Sequence, residues 1–440
     1  SGPGGEKAAV QAAKLGKRVL MVERDKPGGS SLHHGTIPSK TLRQSVRYLS
    51  LLQQKTVYGM SVQVTRDLTV NSLMHRKNGA VQNLMERLER TFQRNGIDYH
   101  QGEASFVDEH TIAVHSEGGQ GETFEGETFI IATGSRPYRP DAVDFTHPQV
   151  KDSDTLLDIK DIPKTLTIIG AGVIGCEYAT IFNHMGVKVN LVNERQVLLD
   201  FLDLEISNAL AYLMREAGIR IRLGEKVSSV KADGELVYAH LESGKVLKSD
   251  VLLWANGRVG NTESLILDAV GIQVTARKQV EVNERYQTVL PHIYAVGDVI
   301  GYPALASTAQ AQGRLAAMYA FGGLDETSPT STLLPTGIYT IPEISFVGKT
   351  EEQLTEEKVP YEIGAAYYRE IARGQIAGDT LGRLKLLFHR ETLRLLGVHI
   401  LGDYASDLVH IGQTVMAFNG SVEFFVENVF NYPTHSEAYR

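Results

Sequence analysis

Residues 166–175 read LTIIGAGVIG, an apolar strand running directly into Gly170-Ala171-Gly172-Val173-Ile174-Gly175. This is G-x-G-x-x-G between a strand and a helical pattern, the context that separates a dinucleotide-binding turn from an ordinary glycine turn. The three glycines allow a tight bend, bare backbone beside a pyrophosphate, and close packing of helix on strand. Val187–Val192 supplies the next strand. Asn193 then falls close to the spacing of about 20 residues at which a ribose-binding side chain is expected.

The start of the chain reads as a second unit of the same kind, met in mid-motif. Ser1-Gly2-Pro3-Gly4-Gly5 leads into a helical stretch through Leu15, and Arg18–Glu23 (RVLMVE) reads as a strand. Gly2 and Gly5 would be the second and third glycines, and Glu23 the acid that holds an adenosine ribose. An apolar strand ending in glycine is expected before Ser1. Alone, this half-motif fits either a cofactor site or a common glycine turn. Two units in one chain predict two dinucleotide sites.

The remaining segments are placed around these units. Helical patterning covers the Leu73–Phe92 region. Gly102–Phe106 and Thr111–Val114 read as short strands of the first unit, and Thr128–Arg136 as a strand entering a glycine turn. Pro137–Pro163, with several prolines and acids, reads as a linker. Asp250–Asn261 and Pro291–Asp298 read as strands ending in turns, and Ala304–Gly313 opens a helix. From Leu334 onward, short strands (Ile344–Val347, Leu384–Phe388, Leu396–Ile400) alternate with helices. Gly28–Lys40, GGSSLHHGTIPSK, reads as a turn leading into a helix. Pro38 suits a first helical turn, and an amphipathic run continues through Leu42, Val46 and Leu49.

At 440 residues the chain has room for two or three domains of roughly 150 residues each. It is 42% hydrophobic with a formal charge of −8, which argues against nucleic acid or an anionic membrane as partner. No apolar run reaches the roughly 18 residues of a membrane span. The single cysteine, Cys176, permits no internal disulfide and reads as a small packed residue; this is compatible with a reducing cytoplasm. His33, His34, His292, His399 and His410 are scattered, and no metal-ligand spacing is visible.

Together these motifs resemble the flavin-dependent pyridine nucleotide-disulfide oxidoreductases. In disulfide reductases of that family the Gly28–Lys40 stretch reads G-G-x-C-x4-C-x-P-S-K, and its two cysteines form a redox disulfide. Here Ser31 and Thr36 stand in their places, which excludes dithiol chemistry. The match His33, Gly35, Thr36, Ile37, Pro38, Ser39, Lys40 is similar to a transhydrogenase branch of the family, H-x-G-T-I-P-S-K, which usually keeps one cysteine at the position of Ser31. Asn431–Glu437 (NYPTHSE) occupies the place of the reductases' H-P-T-x-S-E, where a histidine manages the thiol proton; Tyr432 replaces it, Glu437 remains, and His435 is not positioned to substitute.

The resemblance implies an α/β fold with two Rossmann-like dinucleotide-binding domains, for FAD and NAD(P), plus an α+β C-terminal dimerisation domain. The expected bounds are 1–152 for FAD, 153–272 for NAD(P), 273–333 for a central segment completing the FAD site, and 334–440 for the interface domain. Relatives continue past Arg440 into a last helix. For FAD the resemblance implies Gly2, Pro3, Gly4 and Gly5, then Glu23 and Arg24. It adds Gly28, Gly29, Ser30, Ser31, Thr36 and Lys40, and Ala104 in the GEASF strand. Thr133, Gly134 and Ser135 follow, with Asp298 on the ribityl chain and Ala306 where a helix N-terminus faces the flavin. For NAD(P) it implies Gly170, Gly172, Val173, Ile174 and Gly175, with Asn193, Arg195, Gly257 and Arg258. Asn193 is neutral and would bond a ribose hydroxyl or a phosphate oxygen; Arg195 would meet the 2′-phosphate of NADP.

The implied catalytic residues are Lys40 and Glu177, paired beside the flavin where hydride arrives; the bland alternative is a surface lysine and an ordinary helical glutamate. The implied reaction is hydride transfer between NADPH and NAD+ by way of FAD, in a cytoplasmic homodimer or larger assembly. A disulfide or quinone reductase with a degenerate site, and a flavin-binding scaffold without turnover, are the alternatives.

Overall fold

The computed structural model describes residues 1–53, 69–116, 118–119, 121–324 and 333–440. Residues 325–332, at the end of the expected central segment, lie outside the described residues. The first unit opens with α1 (Pro3–Lys14), in which Gly4, Gly5, Ala8, Ala9 and Ala12 form a buried stripe of small residues. β1 (Leu20–Glu23) follows. Where an open turn was expected, residues after Gly28 form the short helix α2 (Gly29–His33) before α3 (Thr36–Gln53). Gly28 and Gly29 hold φ of 107° and 62°, which a Cβ would disfavour. α4 (Val70–Leu73) and α5 (His75–Arg94) carry the helical pattern, and β2 (Asp98–Gln101) pairs parallel with β1.

β3 (Glu103–Asp108), β4 (Thr111–His115) and β5 (Glu122–Glu125) form a separate antiparallel meander. The strands expected at 102–106 and 111–114 are thus β3 and β4, which form their own sheet beside the parallel pair β1-β2. Only two residues join β3 to β4, and so short a connection closes an antiparallel hairpin; a parallel pair needs a long crossover. β6 (Phe129–Ile131) and β7 (Ser135–Pro137) complete this region.

The second unit contains β8 (Val150–Lys151), β9 (Thr165–Ile169), α6 (Val173–His184), β10 (Lys188–Asn193), α7 (Leu204–Glu216) and β11 (Arg220–Leu223). It continues through β12 (Val227–Asp233), β13 (Leu236–Leu241), β14 (Val246–Ser249), β15 (Val251–Trp254) and β16 (Arg258–Gly260). The parallel sheet runs β11-β10-β9-β15-β8. Its central strands are apolar on both faces because both are covered. Leu166, Ile168 and Leu191 pack toward α6 and α7; Ile169, Val192 and Leu252 pack with residues of the β12-β13-β14 meander. The segment 137–163 is not a plain linker, since β8 closes the sheet edge with Val150 opposite Leu252. Asp152, just after it, is wholly buried and accepts from Arg139 Nε at 2.6 Å.

β17 (Ile293–Ala295) returns to pair parallel with β6, and α8 (Ala306–Ala320) packs against α1. The C-terminal region holds β18 (Thr336–Ile338), β19 (Ile344–Gly348), α9 (Glu351–Glu356), β20 (Tyr361–Tyr367), α10 (Ala372–Ala377), β21 (Arg383–His389), β22 (Leu395–Leu401), α11 (Ala405–Ala417) and α12 (Glu423–Glu427). Its antiparallel sheet runs β18-β19-β22-β21-β20. Ile338, Ile344, Phe346 and Leu401 share one apolar cluster with α6 and α7, so this sheet and the second unit have a common core.

Polar contacts fix the same joint. Lys385 on β21 is completely buried, with Nζ 2.8 and 3.0 Å from the Asp203 carboxylate and further ion pairs to Glu205 and Glu351. Burial disfavours its ammonium, but the hydrogen bonds it donates to Asp203, Glu351 and Glu205 outweigh that and raise its pKa. α3 is docked along one face. Arg43 meets Glu343 at 2.9 Å and donates from Nε to the Thr340 carbonyl at 3.0 Å; Arg47 meets Asp403 at 2.5 Å. The Asp403 N–H in turn donates to Asp379 at 3.2 Å. Lys40, Arg43 and Arg47, at helical spacings of three and seven, share this face.

Two outcomes follow from this packing. A Cβ on Gly313 of α8 would lie 2.0 Å from the Gly4 carbonyl oxygen, whereas one on exposed Gly79 of α5 would meet nothing within 4 Å. Gly313→Ala is therefore expected to lower unfolding free energy by about 1–3 kcal/mol in urea titration, and Gly79→Ala to raise it by about 0.5–1 kcal/mol; equal effects would contradict the close helix approach. The second concerns Asp379, whose carboxyl is pushed up to about 6 by burial and by the neighbouring Asp403 charge. A folded pKa above the unfolded one means stability is lost as pH rises from the unfolded value toward 6. Asp379→Asn should match wild type near pH 4 and exceed it by about 1–2 kcal/mol above pH 7, after allowing for solvent screening. Denaturation midpoints across that range decide it, and a gain independent of pH would refute it.

Candidate functional site

Two of the uncapped helix N-termini follow the glycine turns. α1 starts after Gly2 and α6 after Gly172, and neither has a side-chain cap. A Cβ at Gly172 would meet nothing within 4 Å, and one at Gly2 only Gly29 Cα at 3.9 Å. Uncapped first-turn N–H groups beside bare backbone suit a pyrophosphate. The third glycines serve packing instead. A Cβ on Gly175 would fall 1.9 Å from the Gly170 oxygen, and one on Gly5 3.3 Å from Ala132 Cβ.

The first N-terminus opens into a cleft of about 2260 Å³. It is lined by Gly2, Pro3, Gly4, Gly5, Glu23, Arg24, Gly29, Ser30 and Ser31, then by Thr36, Lys40, Ala104, Thr133, Gly134, Ser135, Asp298 and Ala306. Val173, Ile174, Glu177 and Arg258 reach the same cleft from the second unit. Gly28 does not line it; a Cβ there would strike the Leu32 side chain at 2.4 Å. Gly170, Gly172, Gly175, Asn193, Arg195 and Gly257 also lie outside this lining, around the second glycine turn.

Asp298 sits in a helical turn after β17 and accepts from Ser135 Oγ at 2.8 Å. Ser135 Oγ accepts in turn from Arg258 Nε at 2.8 Å, and a second Arg258 nitrogen donates to the Ser135 carbonyl at 2.7 Å. Arg258, expected as a nucleotide contact, thus anchors the carboxylate expected to hold the ribityl chain. Its fork crosses from the second unit to the first.

At the other end of the cleft Lys40 Nζ donates to Glu177 Oε2 at 2.7 Å; the lysine side chain is 27% exposed and the glutamate 6%. Glu177 Oε1 accepts the backbone N–H of Tyr339 at 2.9 Å, and the Tyr339 ring lies 4.8 Å from Lys40 Nζ. Tyr339 went unread in the sequence. It is the residue that the C-terminal region brings to the pair, and no local pattern announces it. Ser31 Oγ donates to the Gly28 carbonyl at 3.2 Å, and Thr36 opens α3. Cys176 is fully buried, and burial pushes its thiol far above the ordinary range. Tyr432 is 76% exposed, and Glu437 accepts the Thr434 N–H at 3.0 Å as a local cap.

At the second glycine turn the Asn193 amide is engaged within the protein. Its oxygen accepts the Ala171 N–H at 3.2 Å, and its nitrogen donates to the carbonyls of Arg195 at 3.2 Å and Val197 at 2.9 Å. Asn193 therefore clamps the loop to the glycine turn. Arg195 is exposed and ion-paired with Asp200, so a phosphate would have to compete with that carboxylate. Among the described residues, one group of carboxylates has ligand-like spacing, Asp203, Glu205 and Glu351, and Lys385 already supplies its cation.

A family profile described as pyridine nucleotide-disulphide oxidoreductase matches residues 1–313, and the dimerisation domain of the same family matches 334–440. The chain is 50% identical, over 445 aligned positions, to a soluble pyridine nucleotide transhydrogenase of Enterobacter sp. (strain 638), covering 100% of this chain and 95% of that one. It is 49% identical to the protein of the same name from Salmonella typhi, with the same coverage. Among solved structures, LpdA of Mycobacterium tuberculosis superimposes with a TM-score of 0.92 at 24% identity, a likeness of fold. The HOCl-induced flavoprotein disulfide reductase RclA of Escherichia coli gives 0.88 at 29%. Each alignment covers 100% of this chain and 96% of the other.

Proposed function

The chain belongs to the pyridine nucleotide-disulphide oxidoreductase family, and on that premise we propose that it is an FAD-dependent transhydrogenase passing hydride between NADPH and NAD+. The observation that carries this is the pairing of Lys40 with Glu177 in a cleft where Ser31 and Thr36 offer no thiol. Its half-identical relatives named soluble pyridine nucleotide transhydrogenase support the same reading.

Bound FAD supplies a carrier that accepts hydride from one nicotinamide and gives it to the other. In this reading the open N-terminus of α1 takes the FAD pyrophosphate, Glu23 the adenosine ribose, and Asp298, steadied by Ser135 and Arg258, the ribityl hydroxyls. The N-terminus of α6 takes the NAD(P) pyrophosphate. Lys40 offers a positive charge to an electron-rich ring, and Glu177 keeps that partly buried ammonium paired. Reducing a disulfide requires protons for two thiols. Moving hydride from NADPH to NAD+ consumes and releases none, so a tyrosine at position 432 in place of an acid–base group is consistent with the reaction.

We assign 1–152 to FAD, 153–272 to NAD(P), 273–333 to the central segment and 334–440 to a homodimer interface. Among the described residues no helix is long and apolar enough to cross a membrane. One buried cysteine suits a reducing compartment, and the cytoplasm is the proposed location.

The test is steady-state transfer from NADPH to an oxidised NAD analogue by the FAD-loaded protein. Sustained turnover is expected, with none on lipoamide or glutathione disulfide; the reverse pattern would overturn the assignment. Arg195→Ala should weaken NADP by about 1.5–3 kcal/mol, toward the lower end because Asp200 already competes for the guanidinium, and leave NAD nearly unchanged. Titrating flavin reduction by NADPH and NADH separates the two, and equal losses would remove Arg195 from phosphate recognition.

A further inference from the structure

Residues 339–341 meet three parts of the protein at once. The N–H of Tyr339 donates to Glu177 Oε1 at 2.9 Å, and the N–H of Ile341 to Thr180 Oγ1 at 3.1 Å, both on α6. The carbonyl of Thr340 between them accepts from Arg43 on α3 at 3.0 Å. The segment continues β18 in the C-terminal sheet, where Ile338 is paired with Ile344. The centroid of the Tyr339 ring lies 4.8 Å from Lys40 Nζ.

We propose that Tyr339 is the positioning residue of the Lys40–Glu177 pair, holding the ammonium by its ring face and the carboxylate by its backbone N–H. Glu177 is the carboxylate paired with Lys40, at 2.7 Å. A second carboxylate would hold the ammonium as firmly but leave the cluster with net negative charge, which opposes electron-rich character in a neighbouring ring. An aromatic face attracts the cation through its quadrupole and adds no formal charge. It also supplies a dry wall on one side of the lysine, strengthening the ion pair on the other. Burial pushes the Tyr339 phenol up, so the ring stays neutral. The C-terminal sheet thereby acts on the cleft of its own chain, in addition to any role between chains.

The proposal rests on the flavin reading for its readout and not on NAD+ as final acceptor. In the FAD-loaded protein, flavin reduction by NADPH is followed by rapid mixing, and the flavin midpoint potential is measured. Tyr339→Phe should stay within about twofold of wild type, while Tyr339→Leu should slow flavin reduction by about three- to thirtyfold and make the potential more negative. Phenylalanines carrying increasing numbers of fluorines at position 339 preserve shape and weaken the ring face, which separates electrostatics from folding. A stepwise fall along that series supports the proposal. A flat series, equal loss in the Phe and Leu variants, or an unchanged potential in the Leu variant overturns it. Failure of transfer to NAD+ would sink the transhydrogenase reading and leave this test intact.

Discussion

The Glu177 carboxylate is the point on which the site depends. One oxygen takes the Lys40 ammonium from α3 and the other takes a backbone N–H from the C-terminal sheet. A buried carboxylate must have its lone pairs filled, and here the donors come from segments 137 and 162 residues away along the chain. The requirement to satisfy one charge draws three parts of the protein to a common edge. α6 can present Glu177 there because Gly175, two residues earlier, lets the helix start press against the Gly170 carbonyl.

The same economy recurs around Asp298. Asp298 is oriented by Ser135, and Ser135 is oriented by Arg258, so the geometry of one carboxylate is set by an arginine in the other unit. Interactions of this kind make the two nucleotide-binding units mechanically dependent. Each contributes groups whose correct placement requires the other to be folded.

What could be read in advance follows from how local each signal is. The pair Lys40 and Glu177 was implied by the family resemblance, whereas the G-x-G-x-x-G of 170–175 and the half-motif at Gly2–Gly5 were legible because backbone geometry demands particular residues at short spacing. Tyr339 was not, because its role arises where a distant strand end meets α3 and α6. Asn193 falls at the end of β10, where it ties the following loop to the glycine turn. An asparagine can face a ribose or tie a loop, and only the positions of Ala171, Arg195 and Val197 decide between them. The two-residue strand β8 carries too little periodicity to be seen among the prolines and acids around it. β3 and β4 are visible as strands, but their pairing in a separate sheet is not, since alternation of apolar residues does not name the partner strand.

Lys385 sits wholly buried among Asp203, Glu205 and Glu351, drawn from the second unit and from the C-terminal region. Pulling the C-terminal sheet away would break this cluster and expose the apolar core that Ile338, Ile344, Phe346 and Leu401 share with α6 and α7 in the same step. The nucleotide-binding unit and the C-terminal sheet therefore behave as one cooperative block when the protein is heated or stretched, and the seam between them gives proteases no early foothold.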